Sequence, residues 1–291
     1  TANTLGLLVT AVGLHGSAGV DQEALNAPVI LPNEPLITPS VDNLALTAAI
    51  ATNPLYGTLT LADDGSFSYV HDGFERNDTL YTAHIYDGYF CIVDVSDHSN
   101  PVLLATHNTP NFFTHNIWPS ANGQTVYTTD EISGAYVAAY DISNLQQITE
   151  LDRIQTMQGT SVIPHNTHVK GDYLITSYYS DGIVVHDAHD PANLIQLGRY
   201  DTYPGQTPGF DGCWGVYPFF ASDKAVAADI TEGLYILKIN YAPAASLVGV
   251  VKDLTSGQVL SGVSVSLLGA AMQENTNAQG VYKTGIRRSV N

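Results

Sequence analysis

A glycine-centred phrase recurs four times in this chain and constrains its fold more than any other feature. The four copies end at Gly88, Gly134, Gly182 and Gly233, which lie 46, 48 and 51 residues apart. Each glycine follows one short apolar run and precedes another. Such a pattern predicts β-hairpins, because glycine adopts a positive φ at no steric cost. Four hairpins at a nearly constant period indicate a repeat architecture, most plausibly a β-propeller.

The rest of the sequence divides around these repeats. Residues 71–242 hold the repeats, and each unit is predicted to contain four antiparallel strands that form one blade. Residues 1–43 are predicted to form an N-terminal strand and an extended linker, residues 44–70 a short β segment, and residues 246–291 a partial β-sandwich. The fold class is therefore all-β, with about four blades in a complete or incomplete ring, flanked by Ig-like segments.

Charge excludes several classes of partner. Lys and Arg total 10 against 28 Asp and Glu, which gives a net charge of −18. Nucleic acid and anionic membrane surfaces would repel such a chain, and no apolar run is long enough to span a membrane. We therefore expect no nucleic-acid partner and no membrane span. An acidic surface suits divalent cations or an extracellular setting, although solubility alone explains it equally well.

Two stretches of the repeat region resemble known repeats. Residues 91–101 (CIVDVSDHSNP) and 142–143 (IS) resemble the LVIVD repeat, and residues 115–141 and 164–218 are similar to the choice-of-anchor B family. The resemblance implies a secreted or cell-surface bacterial β-propeller. Members of that family carry further repeats upstream, so the ring here is expected to have four blades, to be partial, or to be completed by another chain.

The flanking segments resemble other surface modules. Residues 56–69 (YGTLTLADDGSFSY) resemble cadherin-like, VCBS-type repeats, and residues 246–286 are similar to the carboxypeptidase regulatory-like domain. The second match is shorter than that domain, which implies an open sheet edge. Open edges support assembly by strand addition. We therefore expect self-association through terminal strands, with the apolar run 4–14 docked on its own chain or on a neighbour.

Histidine and aspartate recur at matched places in the repeats. Four residues before each glycine stand His84, Asp130 (or Glu131 with a one-residue shift), Tyr178 and Asp229, and each unit opens on His71, His115, His165 or Asp211. Innermost strands of a propeller line its channel, so matched residues form rings. Imidazole with carboxylate suits Zn, Mn or Fe. The candidate metal ligands are therefore His71, His84, His115, Asp130, His165, Asp211 and Asp229. Because these residues recur in every unit, a scaffold role is the competing interpretation.

Two further sites are weaker candidates. Asp63, Asp64 and Asp87 could bind Ca²⁺, as cadherin-like modules often do, but Asp-Gly pairs are also ordinary turn residues. Cys91 and Cys213 lie in the first and last repeats, so ring closure could bring them together as a disulfide, whereas two buried free thiols are the alternative. Ca²⁺ and a transition metal are the cofactors under consideration.

Three functions compete on these grounds. The first is a non-enzymatic protein that serves adhesion or builds an extracellular fibre by strand complementation, since no nucleophile motif occurs in the sequence. The second is a metal-dependent propeller hydrolase with a His/Asp site at the channel mouth. The third is a module that binds surface glycans. A metal held tightly by the purified protein would favour the second.

Overall fold

The computed structural model describes residues 70–156, 160–205, 209–267 and 273–288. All regular secondary structure in these ranges is β-strand. No helix that is long and apolar enough to cross a membrane occurs among these residues. The all-β prediction is therefore confirmed. The predicted N-terminal strand and linker, nearly all of the cadherin-like segment, and the Ca²⁺ candidates Asp63 and Asp64 lie outside the described residues.

The repeat region folds into four antiparallel sheets, which we call blades 1 to 4. Blade 1 contains β1 (Asp72–Arg76), β2 (Thr79–His84), β3 (Tyr89–Asp94) and β4 (Val102–Asn108). Blade 2 contains β5 (Thr114–Pro119), β6 (Thr125–Asp130), β7 (Val137–Asp141) and β8 (Thr149–Ile154). Blade 3 contains β9 (Thr167–Lys170), β10 (Tyr173–Ser177), β11 (Ile183–Asp187) and β12 (Ile195–Tyr200). Blade 4 contains β13 (Cys213–Tyr217), β14 (Lys224–Asp229) and β15 (Gly233–Lys238).

The recurring glycines lie where the sequence predicts them, at the turn between the second and third strands of each blade. Their φ angles are +72° at Gly88, +72° at Gly134, +76° at Gly182 and +88° at Gly233. A side chain is disfavoured at such angles, so the turn requires glycine. At Gly182 a Cβ atom would also overlap the backbone carbonyl of Tyr200 in the fourth strand.

Three apolar clusters join the blades in series. Phe90 and Ile92 of blade 1 pack with Val126 and Tyr140 of blade 2. The opposite face of blade 2 packs in the same way on blade 3, and blade 3 packs on blade 4. Strand alternation explains this pattern, because blades 2 and 3 each pack between two blades and therefore present apolar side chains on both faces. β1 contacts β5 and β5 contacts β9 along the inner wall, and β13 of blade 4 contacts β10 of blade 3.

The C-terminal residues form four short strands against blade 3. These are β16 (Ala244–Val250), β17 (Ser264–Ser266), β18 (Gln273–Asn275) and β19 (Val281–Arg287), in two two-stranded pairs. The backbone N–H of Ala244 donates to Asp187 Oδ2 at 2.6 Å, and the Lys283 ammonium donates to the Ala192 carbonyl at 2.7 Å. The sandwich predicted for residues 246–291 stays a prediction.

The two cysteines are buried free thiols, so the candidate disulfide between them is wrong. Cys91 lies in β3, the third strand of blade 1, whereas Cys213 opens the innermost strand of blade 4. Because the two thiols occupy different layers of different blades, the close approach that a disulfide needs does not arise.

Candidate metal centre

Histidines from three blades stack along the inner wall. The ring centroids of His71 and His115 lie 4.3 Å apart, and those of His115 and His165 lie 4.1 Å apart. Trp214 follows in blade 4, 5.3 Å from His165. A β-bulge falls at His115 and another at Trp214, because the pairing with the second strand skips these two residues. The bulges show that the two side chains hold equivalent positions, since a bulge re-aims the residue that it leaves unpaired.

Glu131 is the carboxylate at the centre of this histidine wall. It follows the last residue of β6, so the hairpin turn carries it to the start of the inner strands. Its Oε2 lies 3.6 Å from His115 Nε2, and its Oε1 lies 3.6 Å from His165 Nε2. Ligand atoms of His71, His115 and Glu131 all lie within 4.8 Å of one another. Glu131 therefore forms one compact set with His71 and His115, and its Oε1 lies near His165 of blade 3.

The two distances of 3.6 Å favour metal ligation over hydrogen bonding. A nitrogen–oxygen separation of that length is too long for a hydrogen bond. Two ligands at about 2.1 Å from a tetrahedral ion are separated by roughly 3.4 Å, which is close to the observed spacing. Each separation alone is close to one edge of such a polyhedron, and the two end on different oxygens of Glu131.

Tyr179 holds the carboxylate from the neighbouring blade. Its hydroxyl donates to Glu131 Oε1 at 2.5 Å, and its ring lies 5.0 Å from that of His165. Glu131 and Tyr179 each stand three residues before their repeat glycine, where blades 1 and 4 carry Ile85 and Ile230. The repeat is therefore broken at the position that points to the histidines. A scaffold role would be repeated in every blade, so this break favours a functional site.

Burial sets the protonation states of the site. Desolvation raises the pKa of Glu131 to about 7, and the Tyr179 hydrogen bond only partly opposes this effect. Desolvation lowers the pKa of His165 to about 3, with partial opposition from the backbone of Trp214. His165 is therefore neutral at physiological pH, which is the form that binds metals. A divalent cation would stabilise the Glu131 carboxylate in its ionised form.

Next to the histidine wall, the first strands of the blades carry a layer of polar residues and then a layer of aromatic residues. The Asn116 amide donates to Asp72 Oδ2 at 2.6 Å, and the Thr167 N–H donates to Asn116 Oδ1 at 3.0 Å, so three blades are linked. Beyond them the Trp118 ring lies between those of Phe74 and His168, at 4.2 and 4.7 Å. His168 packs in this aromatic layer, whereas His165 belongs to the histidine wall.

The structure gives Asp130 and Asp229 another role. Thr109 Oγ1 donates to Asp130 at 2.5 Å, and Thr202 Oγ1 donates to Asp229 at 2.7 Å. Thr156 makes the same bond to Asp181 in blade 3. In each case the threonine follows the fourth strand of one blade and the aspartate belongs to the next blade. We call these bonds the threonine–aspartate clamps, and they serve the scaffold.

Burial and hydrogen bonding act in opposite directions on the pKa values of Asp130 and Asp229. Burial raises the pKa of Asp130 despite bonds from Thr109, Asn111 and Phe113. Burial also acts to raise the pKa of Asp229, but bonds from Thr202, Glu232 and Thr231 outweigh it and lower the pKa. The oxygens of both carboxylates already accept hydrogen bonds from loop N–H groups and hydroxyls, so they are poorly suited to bind an ion.

The remaining candidates lie apart from the histidine wall. His84 Nε2 lies 3.0 Å from Thr82 Oγ1, and its ring stacks on Tyr89 of the same blade. Asp211 is exposed. The sequence alignment predicted Asp211 at the inner position of blade 4, but Trp214 occupies that position. Asp87 is exposed on its hairpin, 3.9 Å from His84 Nδ1. Sequence reasoning named Glu131 only as a shifted alternative and missed Tyr179 and Trp214.

Comparison with known proteins identifies one repeat and a fold. The LVIVD repeat family matches residues 81–109. A Lactobacillus plantarum protein of known structure is 16% identical, with a TM-score of 0.50 over 77% of this chain and 67% of that one. A Pseudomonas aeruginosa periplasmic gluconolactonase is 16% identical, with a TM-score of 0.48 over 69% of this chain.

The matched structures are larger than the matched region. This chain spans 60% of the gluconolactonase and 57% of a putative 6-phosphogluconolactonase from Bacteroides fragilis, which is 13% identical with a TM-score of 0.46. No curated protein matches the sequence. The LVIVD repeat and the propeller-type fold are confirmed. The choice-of-anchor B, cadherin-like and carboxypeptidase regulatory-like assignments stay predictions.

Proposed function

We propose that this propeller binds one divalent transition-metal ion at its inner wall and uses it in a hydrolytic reaction. The observation that carries the proposal is the placement of two imidazole Nε2 atoms at 3.6 Å from the two oxygens of one buried carboxylate, Glu131. The ligand atoms of His71, His115 and Glu131 lie within 4.8 Å of one another, and His165 stands outside this set. A site of this kind needs side chains from blades 1, 2 and 3 together.

The donor set indicates which ions fit. Imidazole nitrogen with carboxylate oxygen suits Zn²⁺, Mn²⁺ or Fe²⁺, whereas Ca²⁺ takes oxygen ligands almost exclusively. The proposal therefore favours a transition metal over Ca²⁺ at this site. Calcium binding through Asp63, Asp64 and Asp87 is a separate prediction.

The chemistry proposed is ester hydrolysis, in which a water oxygen bonds to the carbonyl carbon, the bond to the alkoxy oxygen breaks, and the water proton leaves with the alcohol. The ion held by the site would lower the pKa of a water molecule to about 7 and would polarise the carbonyl oxygen. Glu131 is ordered for ligation by the Tyr179 hydroxyl, which lies in the outer shell and fixes the carboxylate orientation. The net charge of −18 disfavours anionic substrates, so neutral esters are the class to test.

A metal titration with matched variants tests the proposal. We expect wild-type protein stripped with a chelator to bind about one equivalent of Zn²⁺ or Mn²⁺, and Glu131→Gln to bind at least roughly 100-fold more weakly. His189→Gln is the control, because His189 is exposed on blade 3. Equal binding by wild type and Glu131→Gln would refute the site. Metal binding without metal-dependent ester hydrolysis would refute the hydrolase and leave a metal-binding protein.

The second candidate is a non-catalytic extracellular protein that serves adhesion or forms fibres. The observation in its favour lies in blade 4, where Leu234 and Ile236 are 67% and 70% exposed. A second copy that added a strand there would link subunits. Under this second candidate function the protein is extracellular, and its partner is either another copy of the chain or a surface glycan. Electron microscopy of full-length protein and of a variant without residues 1–20 tests assembly.

A further inference from the structure

Exposed apolar side chains border the histidine wall at the end where the first strands begin. Each blade runs its second strand toward this end and its third strand away from it, so the repeat hairpins and the loops that precede the first strands lie there together. Five large apolar residues in these hairpins and loops are between 40% and 62% exposed, namely Tyr86, Phe112, Ile132, Phe210 and Ile230. We call these five residues the apolar rim.

Two members of the apolar rim lie in loops that contact the proposed metal centre. The backbone N–H of Glu131 donates to the Phe113 carbonyl at 3.1 Å, so the loop that carries Phe112 is bonded to the residue that supplies the carboxylate. The Phe210 ring lies 5.4 Å from the Tyr179 ring, and the Tyr179 hydroxyl donates to Glu131. Both phenylalanines therefore stand next to residues that position Glu131.

The backbone at this end adopts an unusual conformation for bulky residues. Phe112 has a φ of +53° and Tyr179 a φ of +40°. Side chains larger than glycine rarely adopt such angles, and residues held in them cluster at ligand sites. At Phe112 the strain is not offset by burial of the ring, which is 62% exposed. Strain and exposure together favour a ligand that contacts this ring.

The surroundings of the apolar rim indicate the chemistry of that ligand. The side chains of Glu131 and His115 are only 14% and 5% exposed, so the polar groups are recessed beside exposed rings. Apolar side chains around a few convergent polar groups are typical of small-molecule sites. The net charge of −18 disfavours an anionic ligand or an anionic membrane surface. Phenylalanine rings pack well against a second aromatic ring.

We propose that the apolar rim binds the aromatic acyl group of a neutral ester and holds the ester carbonyl carbon at the metal centre. This inference rests on the proposed hydrolase and names its substrate class. For methyl phenylacetate, the water oxygen bonds to the carbonyl carbon and the bond to the methoxy oxygen breaks. One water proton leaves with methanol, and the other water proton stays on phenylacetic acid. Phe112 and Phe210 are the residues that determine this specificity.

Two esters that share an alcohol test the specificity. With metal-loaded wild-type protein we expect kcat/KM for methyl phenylacetate to exceed that for methyl acetate by at least roughly 10-fold. Phe112→Ser and Phe210→Ser should each lower this ratio by about 3-fold or more. Phe220→Ser is the matched control and should keep the ratio, because Phe220 is 43% exposed and follows the far end of β13, where its ring contacts Tyr217. Bound metal is measured in every sample.

A binding measurement gives a second readout that needs no hydrolysis. Phenylacetamide and acetamide have the same two acyl groups, and amides are far less reactive than esters. By isothermal titration calorimetry we expect wild-type protein to bind phenylacetamide at least roughly 10-fold more tightly than acetamide. The preference should fall in Phe112→Ser and Phe210→Ser and persist in Phe220→Ser. The comparison of the two amides on wild-type protein requires no variant to fold.

The two readouts separate the substrate class from the hydrolase itself. Metal-loaded protein that hydrolyses neither ester would refute the hydrolase, and the amides would then decide the role of the apolar rim. A preference for phenylacetamide that both rim variants lose supports the rim as an aromatic subsite, and equal binding of the two amides overturns it. Equal kcat/KM for the two esters would overturn the aromatic specificity and leave the hydrolase. A preference that both rim variants retain would assign the specificity to other residues and overturn the proposal.

Discussion

The Tyr179 hydroxyl donates a 2.5 Å hydrogen bond to Glu131 Oε1, from blade 3 to the hairpin of blade 2. The two residues are 48 positions apart and occupy the same place in their repeats. Burial and the charge of Glu131 raise the pKa of Tyr179, so its hydroxyl stays a donor. The bond fixes the carboxylate against the histidines, and it makes Tyr179 a positioning residue for the metal centre.

Tyr179→Phe should therefore weaken metal binding without removing a ligand. We expect a loss of affinity of about 10-fold, typical of an outer-shell partner. A competition titration against a chromophoric chelator measures it. Tyr136→Phe is the control, since Tyr136 lies in the same hairpin as Glu131 and packs on Arg153. Equal affinities for wild type and Tyr179→Phe would show that the carboxylate needs no support from blade 3.

Thr202→Val should destabilise the fold by about 2 kcal/mol, because it removes a hydrogen bond to the ionised Asp229 while it keeps the side-chain shape. Urea unfolding at neutral pH measures the change. Thr202→Ser keeps the hydroxyl and should retain more of the stability. If valine and serine cost the same, the methyl contacts rather than the clamp stabilise this boundary between blades 3 and 4.

His186 should make the fold less stable in acid. It is fully buried in β11, neither ring nitrogen has a hydrogen-bond partner, and burial lowers its pKa to about 3. The unfolded chain binds a proton near pH 6.5 and the native state does not, so stability present above that pH is lost as pH falls toward 3. At pH 5 the loss from this residue is about 2 kcal/mol relative to pH 7.5.

His186→Leu should remove that share of the acid sensitivity. The difference in unfolding free energy between pH 7.5 and pH 5 should shrink by about 2 kcal/mol, while His165 and His168 keep theirs. The exposed His189, three residues along the chain, supplies the control variant His189→Leu. An unchanged pH dependence in His186→Leu would show that the ring of His186 binds protons equally well in the native and unfolded states.

Gly182→Ala should cost more stability than Gly171→Ala. Both glycines have positive φ, at +76° and +61°, so both substitutions introduce backbone strain of about 1 kcal/mol. A Cβ atom at Gly182 would also overlap the backbone of Tyr200 and Asp201, whereas a Cβ atom at Gly171 would have no other atom within 4 Å. Thermal unfolding compares the two variants. Equal losses of stability in the two variants would mean that Tyr200 and Asp201 move aside and accommodate the added Cβ atom.

Much of the fold follows from sequence patterns that depend on neighbours in the chain. The glycine period located the hairpins, because a positive-φ turn constrains residues within one hairpin. The acidic residues Asp94 and Asp97 likewise act within their own turn, since each accepts a bond from the backbone N–H two residues on. The matched histidines His71, His115 and His165 were expected to form a ring, and the structure brings them together.

What the sequence could not settle is how the blades pack on one another. The bulges at His115 and Trp214 shift the pairing of the first strand with the second strand in blades 2 and 4. Trp214 therefore occupies the inner position that the sequence predicted for Asp211. Asp130 and Glu131 are neighbours in sequence, yet one accepts bonds from a loop and the other lies against the histidine wall. The period by itself determined the repeat and its candidate ring. Only the tertiary structure decided which carboxylate joins it, because contacts between blades depend on the bulges and twist of each strand.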